Sequence, residues 1–225
     1  MQHAIIIPGL GSPGWSMSLL ALRLRRQGTS TRIFPYSAFS RSLGEVVSAV
    51  KRDVEAAGSP QRVHLVGHSM GGLVALGIAT QGLDNIEIGR LVMIGTPLRG
   101  SAIAARISAL PVRHLPYGRV WTDISPEGCQ GNESHRHLGQ TGMIAGAVPG
   151  GRWIGASQSD GVVPVSATMA EGLKDHVTVP ASHALLLASK RVARLSAEFI
   201  ATGRFSHPQV SRTNPCQHSR METFR

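Results

Sequence analysis

The sequence predicts an α/β fold in which a mainly parallel sheet of about six strands is flanked by helices. Short apolar runs alternate along the chain with segments of helical apolar spacing, and this alternation is typical of strands joined by crossover helices. The apolar runs are continuous rather than interrupted by polar residues at every second position. Such runs are expected for strands that are buried on both faces of a parallel sheet.

Six apolar runs are the predicted strands, at residues 3–7, 31–36, 62–67, 90–95, 142–148 and 176–180. Segments of helical spacing predict helices at 16–26, 43–58 and 70–80, and one long closing helix at 185–201. Ligands bind beyond the carboxyl ends of the strands in sheets of this kind. Functional residues are therefore expected in the loops that follow Ile7, Val66, Ile94, Val148 and Val179.

The chain length of 225 residues suits one domain with one sizeable core. We predict that this domain spans residues 1–205 and that a flexible polar tail follows at 206–225. The stretch 98–140 is rich in Pro, Gly and His, and it is expected to be irregular and to form a short cap.

The formal net charge of +10 raises nucleic acid or an anionic membrane surface as partners. Basic residues are nevertheless scattered, and the nearest approach to a run is the cluster Arg23, Arg25 and Arg26. A solvated basic surface is therefore the favoured interpretation. Nucleic-acid binding is not expected, and a peripheral contact with a membrane surface stays open.

Two cysteines, Cys129 and Cys216, lie far apart, and the sequence has no CxxC spacing. They are expected to be free thiols in a reducing compartment, and no metal site is expected. The N-terminus lacks the basic start of a signal peptide, and no stretch of 18 apolar residues occurs. These features predict a cytoplasmic protein.

Residues 67–71, Gly-His-Ser-Met-Gly, place Ser69 at a sharp turn between a predicted strand and a predicted helix. The pattern G-x-S-x-G is weak by itself, but this context is the one in which a nucleophilic serine is pushed out above a sheet. Small residues two positions before and after the serine avoid a collision at such a turn. The alternative is a Gly-rich tight turn with a solvent-facing serine.

A serine nucleophile needs a histidine base and an acid that orients it, in the chain order Ser, Asp or Glu, His. Asp160 follows the fifth predicted strand and His183 follows the sixth, so both are expected at the same sheet edge as Ser69. Other candidates fit less well, because they lie within strands, beside the serine, in a predicted helix before the last strand, at the opposite edge or in the tail. They are His64, His68, Glu171, Asp175, His176 and His207.

An oxyanion hole requires two backbone N–H groups that face the developing negative charge. The predicted donors are Met70, which follows the nucleophile, and Leu10, in the glycine-rich loop 8–15. Trp15 and the stretch 98–140 are expected to border an acyl pocket, although Trp15 packing under its own loop is the alternative. The chemistry requires neither a cofactor nor a metal.

The segments PGLG, GHSMGG, IGTPLRGS, SDGVVPV and SHALLL resemble those of the α/β-hydrolase superfamily, in particular small bacterial lipases and esterases. The resemblance extends from about residue 3 to 206. It implies an α/β-hydrolase fold and a serine hydrolase that cleaves a carboxylic ester through an acyl-enzyme carried by Ser69, Asp160 and His183. Its substrate would be a small molecule or a lipid ester.

Three departures from the family pattern affect these expectations. Pro8-Gly9 stands where many relatives have His-Gly, and the two leading strands of the full fold are expected to be absent. The cap is short and poor in large aromatic residues, so a smaller ester is favoured over a long-chain triglyceride. Two alternatives stay open: a thioesterase or acyltransferase with the same triad, and a non-catalytic module on this scaffold that binds anionic lipid or nucleic acid.

Overall fold

A six-stranded parallel sheet forms the centre of the chain, in a computed structural model that describes residues 1–58, 60–109, 118–129, 135–148 and 158–207. The strand order is β2-β1-β3-β4-β5-β6, and every neighbouring pair is parallel. This confirms the predicted fold class. The strands are β1 Gln2–Ile7, β2 Thr29–Ile33, β3 Arg62–His68, β4 Glu87–Ile94, β5 Thr141–Gly146 and β6 Asp175–Val179.

Helices cover both faces of the sheet and create two separate apolar cores. Along β1, Ile5 and Ile7 face the core under α2 and α3, whereas Ala4 and Ile6 face the core under α1 and α9. Successive residues of a strand point to opposite faces, so a strand between two helical layers must be apolar throughout. The helices are α1 Ser18–Arg26, α2 Leu43–Ala56, α3 Met70–Gln81, α4 Ala102–Ser108, α5 Gly118–Asp123, α6 Pro126–Cys129, α7 His135–Leu138, α8 Leu185–Ala188 and α9 Lys190–Thr202.

The closing segment contains two helices, so the prediction of one continuous helix at 185–201 is wrong. The break lies at Ser189, whose backbone is extended at φ −77° and ψ 123°. Its hydroxyl oxygen accepts a hydrogen bond from the Val192 N–H at 3.3 Å, which caps the start of α9. A serine cap can begin a new helix without interrupting the apolar spacing that predicted a continuous one.

The cap stretch 98–140 is more regular than its composition predicts. Its described parts contain the four short helices α4 to α7. Serine side chains stabilise two of the helix starts, because Ser101 Oγ accepts from the Ala104 N–H and Ser125 Oγ accepts from the Gly128 N–H. Cys216 and the tail beyond His207 lie outside the described residues.

None of the helices in the described residues is long and apolar enough to cross a bilayer. Cys129 carries a free thiol that is half-buried, and burial, the largest cause, raises the pKa of that thiol.

Helix α3 lies unusually close to the strands beside it, and glycine makes this approach possible. A Cβ atom on Gly67 would lie closer than 3.0 Å to backbone atoms of Gly71 and Gly72. A Cβ atom on Gly71 would meet the Ile7 carbonyl, and one on Gly72 would meet the Thr96 side chain, again closer than 3.0 Å. The first turn of α3 can therefore sit directly above the ends of β1 and β3.

Strand β3 carries two buried histidines. His64 Nδ1 accepts a hydrogen bond from the Arg90 N–H at 2.9 Å, and its Nε2 lies 2.7 Å from Gln2 Oε1. Burial is the main cause that lowers the pKa of His64 to about 4 and that of His68 to about 3. Both rings are therefore neutral at pH 7 in the folded protein.

We expect Gly67→Ala to lower the free energy of unfolding by about 3 kcal/mol, because its methyl group would press against backbone that cannot move aside. Urea denaturation measures the change. The matched control is Gly139→Ala, since a Cβ atom on exposed Gly139 meets nothing within 4 Å. The control should change stability by less than about 0.5 kcal/mol. Equal stability of both variants would contradict the close approach of α3.

We expect the free energy of unfolding to fall as the pH drops from about 6.5 towards 4. The unfolded chain protonates both histidines near pH 6.5, whereas the folded chain keeps His64 neutral to about pH 4 and His68 to about pH 3. The unfolded state then binds more protons, so stability present above pH 6.5 is lost on acidification, by up to about 1.4 kcal/mol per pH unit for each histidine. Urea denaturation of wild type and His64→Gln at several pH values tests this, and an equal slope for both would refute it.

Candidate active site

Ser69 occupies the turn between β3 and α3 in a strained backbone conformation. Its φ of 52° and ψ of −127° lie in a region that residues with a side chain rarely adopt. The Ser69 N–H donates to the Ile94 carbonyl at 2.8 Å, which ties the turn to the end of β4. Strand, turn and helix follow one another as the sequence predicts, and the side chain stands at the carboxyl edge of the sheet.

Asp160 and His183 form a close pair at the same edge. His183 Nδ1 lies 2.6 Å from Asp160 Oδ2, and the His183 backbone N–H donates to the Asp160 carbonyl at 2.9 Å. The other carboxylate oxygen, Oδ1, accepts from the N–H groups of Val162 and Val163 at 2.9 and 2.7 Å. Asp160 is 2 % exposed, and its carboxylate has a partner on each oxygen.

The pairing determines which tautomer a neutral His183 ring adopts. The carboxylate of Asp160 only accepts hydrogen bonds, so Nδ1 of His183 carries the proton that it donates. The lone pair of the ring is then left on Nε2, which is the nitrogen that can take up a proton from another group.

His68 is packed against His183 and supports its loop. The ring centroids are 4.6 Å apart, and His68 Nε2 lies 3.1 Å from the His183 carbonyl oxygen. Since a carbonyl only accepts, Nε2 of His68 carries the proton, and Nδ1 has no hydrogen-bond partner among the described residues. The low pKa of His68 keeps this ring uncharged, so a positive charge that develops on His183 meets no charged neighbour there.

A cavity of about 350 Å³ opens beside these side chains. Ser69 and His183 both belong to its wall, together with the two predicted oxyanion donors, Leu10 and Met70. The rest of the wall comes from the loop after β1, from the cap and from the loop after Asp160. The lining residues are Gly9, Leu10, Gly11, Ser12, His68, Ser69, Met70, Pro97, Ser101, Ile103, Trp121, Ile124, Val162, Val163 and His183.

The two predicted oxyanion donors lie on either side of the Ser69 turn. Met70 is the first residue of α3, where a helix N–H has no carbonyl partner one turn earlier. Leu10 follows Gly9, which passes so close that a Cβ atom there would lie 3.2 Å from Ser69 Cβ. The loop after β1 therefore runs directly against the turn.

Trp15 lies elsewhere than expected. It belongs to the 3-10 turn Gly14–Met17, is 76 % exposed and is not among the residues that line the cavity. The geometry gives no support to an acyl-pocket role for Trp15. The tryptophan in the cavity wall is Trp121 of the cap, which sequence reasoning did not single out beyond the stretch 98–140.

A second histidine–carboxylate pair lies at the other edge of the sheet, so such a pair does not by itself identify an active site. His207 Nε2 lies 2.9 Å from Asp175 Oδ1, but Asp175 begins β6 at the opposite, amino edge of the sheet. His176 Nε2 lies 2.9 Å from Thr168 Oγ1 at the same edge, and Glu171 is exposed in the turn before β6. None of these five side chains lines the cavity beside Ser69.

The residues that the structure describes contain no candidate metal centre. No three His, Cys, Asp or Glu side chains come together there in a way that would hold a metal ion.

Solved structures with the same fold include several hydrolases. The mature lipase BlEst2 of Bacillus licheniformis is 14% identical with a TM-score of 0.65, over 89% of this chain and 91% of that chain. Phospholipase PlaB of Legionella pneumophila is 14% identical with a TM-score of 0.64, over 90% of this chain and 57% of that chain. The pyrethroid hydrolase PytH is 14% identical with a TM-score of 0.61, over 90% and 98%. At such low identity these likenesses establish the fold.

Comparison of the sequence with family models identifies the family. No curated protein matches it, but the model of the Alpha/beta hydrolase family matches residues 4–198. That match covers most of the chain, and the parallel sheet agrees with it, so the resemblance noted from the motifs is confirmed. The chain belongs to the alpha/beta hydrolase family.

Proposed function

We propose that this protein is a serine hydrolase that cleaves a carboxylic ester through an acyl-enzyme intermediate. The observation that carries the proposal is the 2.6 Å contact of His183 Nδ1 with buried Asp160 Oδ2, because His183 lines the same cavity as Ser69. A strained serine, a histidine with its lone pair on Nε2 and a buried carboxylate are the groups that acyl transfer needs.

The proposed reaction has two halves. In the first, His183 Nε2 takes the proton of Ser69 Oγ as this oxygen attacks the acyl carbon, and the N–H groups of Leu10 and Met70 bind the oxyanion. His183 then gives the proton to the departing alcohol. In the second half a water molecule loses its proton to His183 and attacks the acyl-enzyme, and Ser69 recovers its proton when the acid leaves.

The cavity favours a substrate of modest size with an apolar acyl group. Its volume is at the lower end of the range of about 300 to 1,000 Å³ that small-molecule sites occupy. Apolar side chains from the cap, Ile103, Trp121 and Ile124, line it together with Leu10. These features support an ester with a short or medium acyl chain rather than a long-chain triglyceride.

We expect Ser69→Ala to abolish labelling by a fluorophosphonate probe and to lower hydrolysis of p-nitrophenyl butyrate on the order of 10³-fold or more, because the nucleophile is removed. The matched control is Ser12→Ala, since Ser12 lines the same cavity but lies outside the turn. The control should keep its labelling and most of its activity.

Three outcomes separate the alternatives. Undiminished hydrolysis by folded Ser69→Ala would refute the assignment. A wild type that is labelled but cleaves acyl thioesters in preference to esters would indicate a thioesterase or acyltransferase with the same residues. A folded wild type that is neither labelled nor active would favour a non-catalytic binding module.

We expect Asp160→Asn to lower kcat on the order of 10³-fold with a much smaller effect on KM. An amide can donate to Nδ1 and would favour the wrong His183 tautomer, while the wall of the cavity keeps its shape. The comparison variant is Glu171→Gln, which changes an exposed carboxylate in the turn before β6. Steady-state kinetics of both variants decide, and full activity of Asp160→Asn would assign the orienting acid to another residue.

A further inference from the structure

The outward face of α1 and of the turn before it carries large apolar side chains that neither core uses. Trp15 is 76 % exposed, and Leu19 and Leu22 are each 41 % exposed. Leu19 and Leu22 lie three residues apart on one side of α1, and Trp15 belongs to the 3-10 turn directly before this helix. The opposite side already buries Met17, Leu20, Ala21 and Leu24.

Leu185 provides a further exposed apolar side chain on the neighbouring helix. It begins α8 and is 61 % exposed. Helix α8 packs against α1, and the Arg23 guanidinium donates to the Ala188 carbonyl across this contact. We call Trp15, Leu19, Leu22 and Leu185 the apolar row. Exposed apolar side chains that group on one outer surface are typical of a site that meets a membrane or a protein partner.

The helices around the apolar row are mainly basic. Helices α1, α8 and α9 hold six Lys and Arg side chains, Arg23, Arg25, Arg26, Lys190, Arg191 and Arg194, and one acidic side chain, Glu198, which lies 3.7 Å from Arg194. Arg25, Arg26 and Lys190 are exposed. The α2 layer on the other face of the sheet differs, because α2 itself carries Glu45, Asp53 and Glu55.

The apolar row lies close to the candidate active site along the chain. Trp15 follows the loop that contributes Gly9 to Ser12 to the cavity wall, and Leu185 comes two residues after His183. The row therefore starts at the carboxyl edge of the sheet, at which the cavity is built, and continues along α1 towards Arg25 and Arg26.

We propose that this face docks on an anionic lipid bilayer. Trp15, Leu19, Leu22 and Leu185 enter the interface between head groups and acyl chains, where an amphipathic helix buries its apolar side. Arg25, Arg26 and Lys190 contact the lipid phosphates, since basic side chains near such a surface each contribute about 1 kcal/mol. This docking goes beyond the proposed hydrolysis and does not depend on it.

A bilayer fits this face better than two other partners. Nucleic acid would match the arginines but would leave three exposed leucines without a role, because phosphate contacts dominate its binding. A second copy docked on the same face would bring two sets of like charges together. An anionic bilayer satisfies both the apolar row and the charge around it.

The test is cosedimentation with vesicles of phosphatidylcholine and phosphatidylglycerol, compared with phosphatidylcholine alone, in the absence of any ester substrate. We expect wild type to bind the anionic vesicles and to lose binding in 1 M NaCl, where the Debye length falls to about 3 Å. Leu19→Ser with Leu22→Ser should weaken the partition coefficient by about tenfold or more. Arg25→Gln with Arg26→Gln should weaken it by a similar factor.

Matched controls change the same residue types away from this face. Met169→Ser removes another exposed apolar side chain, and Arg52→Gln with Arg62→Gln removes two arginines on α2 and at the start of β3. Both controls should bind within about twofold of wild type. Circular dichroism verifies that every variant is folded.

Several results would overturn the proposal. The first is that wild type fails to bind anionic vesicles. The second is that the leucine variants bind as well as wild type, and the third is that the control variants lose as much binding as the leucine and arginine variants. Preferred binding to a DNA duplex over the vesicles, or a dimer that the leucine substitutions dissociate, would assign the face to a different partner. Ser69→Ala should bind vesicles normally, so a failure of docking is separate from a failure of the proposed catalysis.

Discussion

The close contact between the start of α3 and the ends of β1 and β3 is the constraint on which the rest of this structure depends. Gly67, Gly71 and Gly72 leave no room for side chains there. The backbone can then turn within one residue, at the cost of about 1 to 3 kcal/mol for the strained conformation of Ser69. The strain persists because the Ser69 N–H is bonded to the Ile94 carbonyl and the loop at Gly9 packs against the turn. Its consequence is a hydroxyl held at the sheet edge beside the first N–H of α3.

Burial and hydrogen bonds determine the charges of the side chains around Ser69. Two backbone N–H groups and the His183 ring satisfy the carboxylate of Asp160, which can therefore be almost fully buried. His68 has the opposite role, because burial keeps it neutral although it touches His183. The Asp160 carboxylate thus stabilises a positive charge on the His183 ring, whereas the neutral His68 ring adds no charge beside it.

The two helical layers differ in what they present to their surroundings. Both bury apolar faces against the same sheet, so their inner sides are alike. On the outside, the α1 layer has exposed tryptophan and leucine among basic residues, whereas α2 mixes both charges. Trp15, expected in an acyl pocket, lies on that outer surface. The net charge of +10 is therefore unevenly distributed between the two layers.

The sequence by itself determined the parallel sheet, the position of every strand to within a few residues and the candidate residues Ser69, Asp160 and His183. Continuous apolar runs and glycine spacing are local signals, and the edge at which a loop emerges follows from strand direction. The tertiary structure decided the rest: the break at Ser189, the contact of His68 with His183, Trp121 in the cavity wall and Trp15 outside it. These depend on contacts between residues far apart in the chain and on caps that leave apolar spacing unchanged, which no local pattern records.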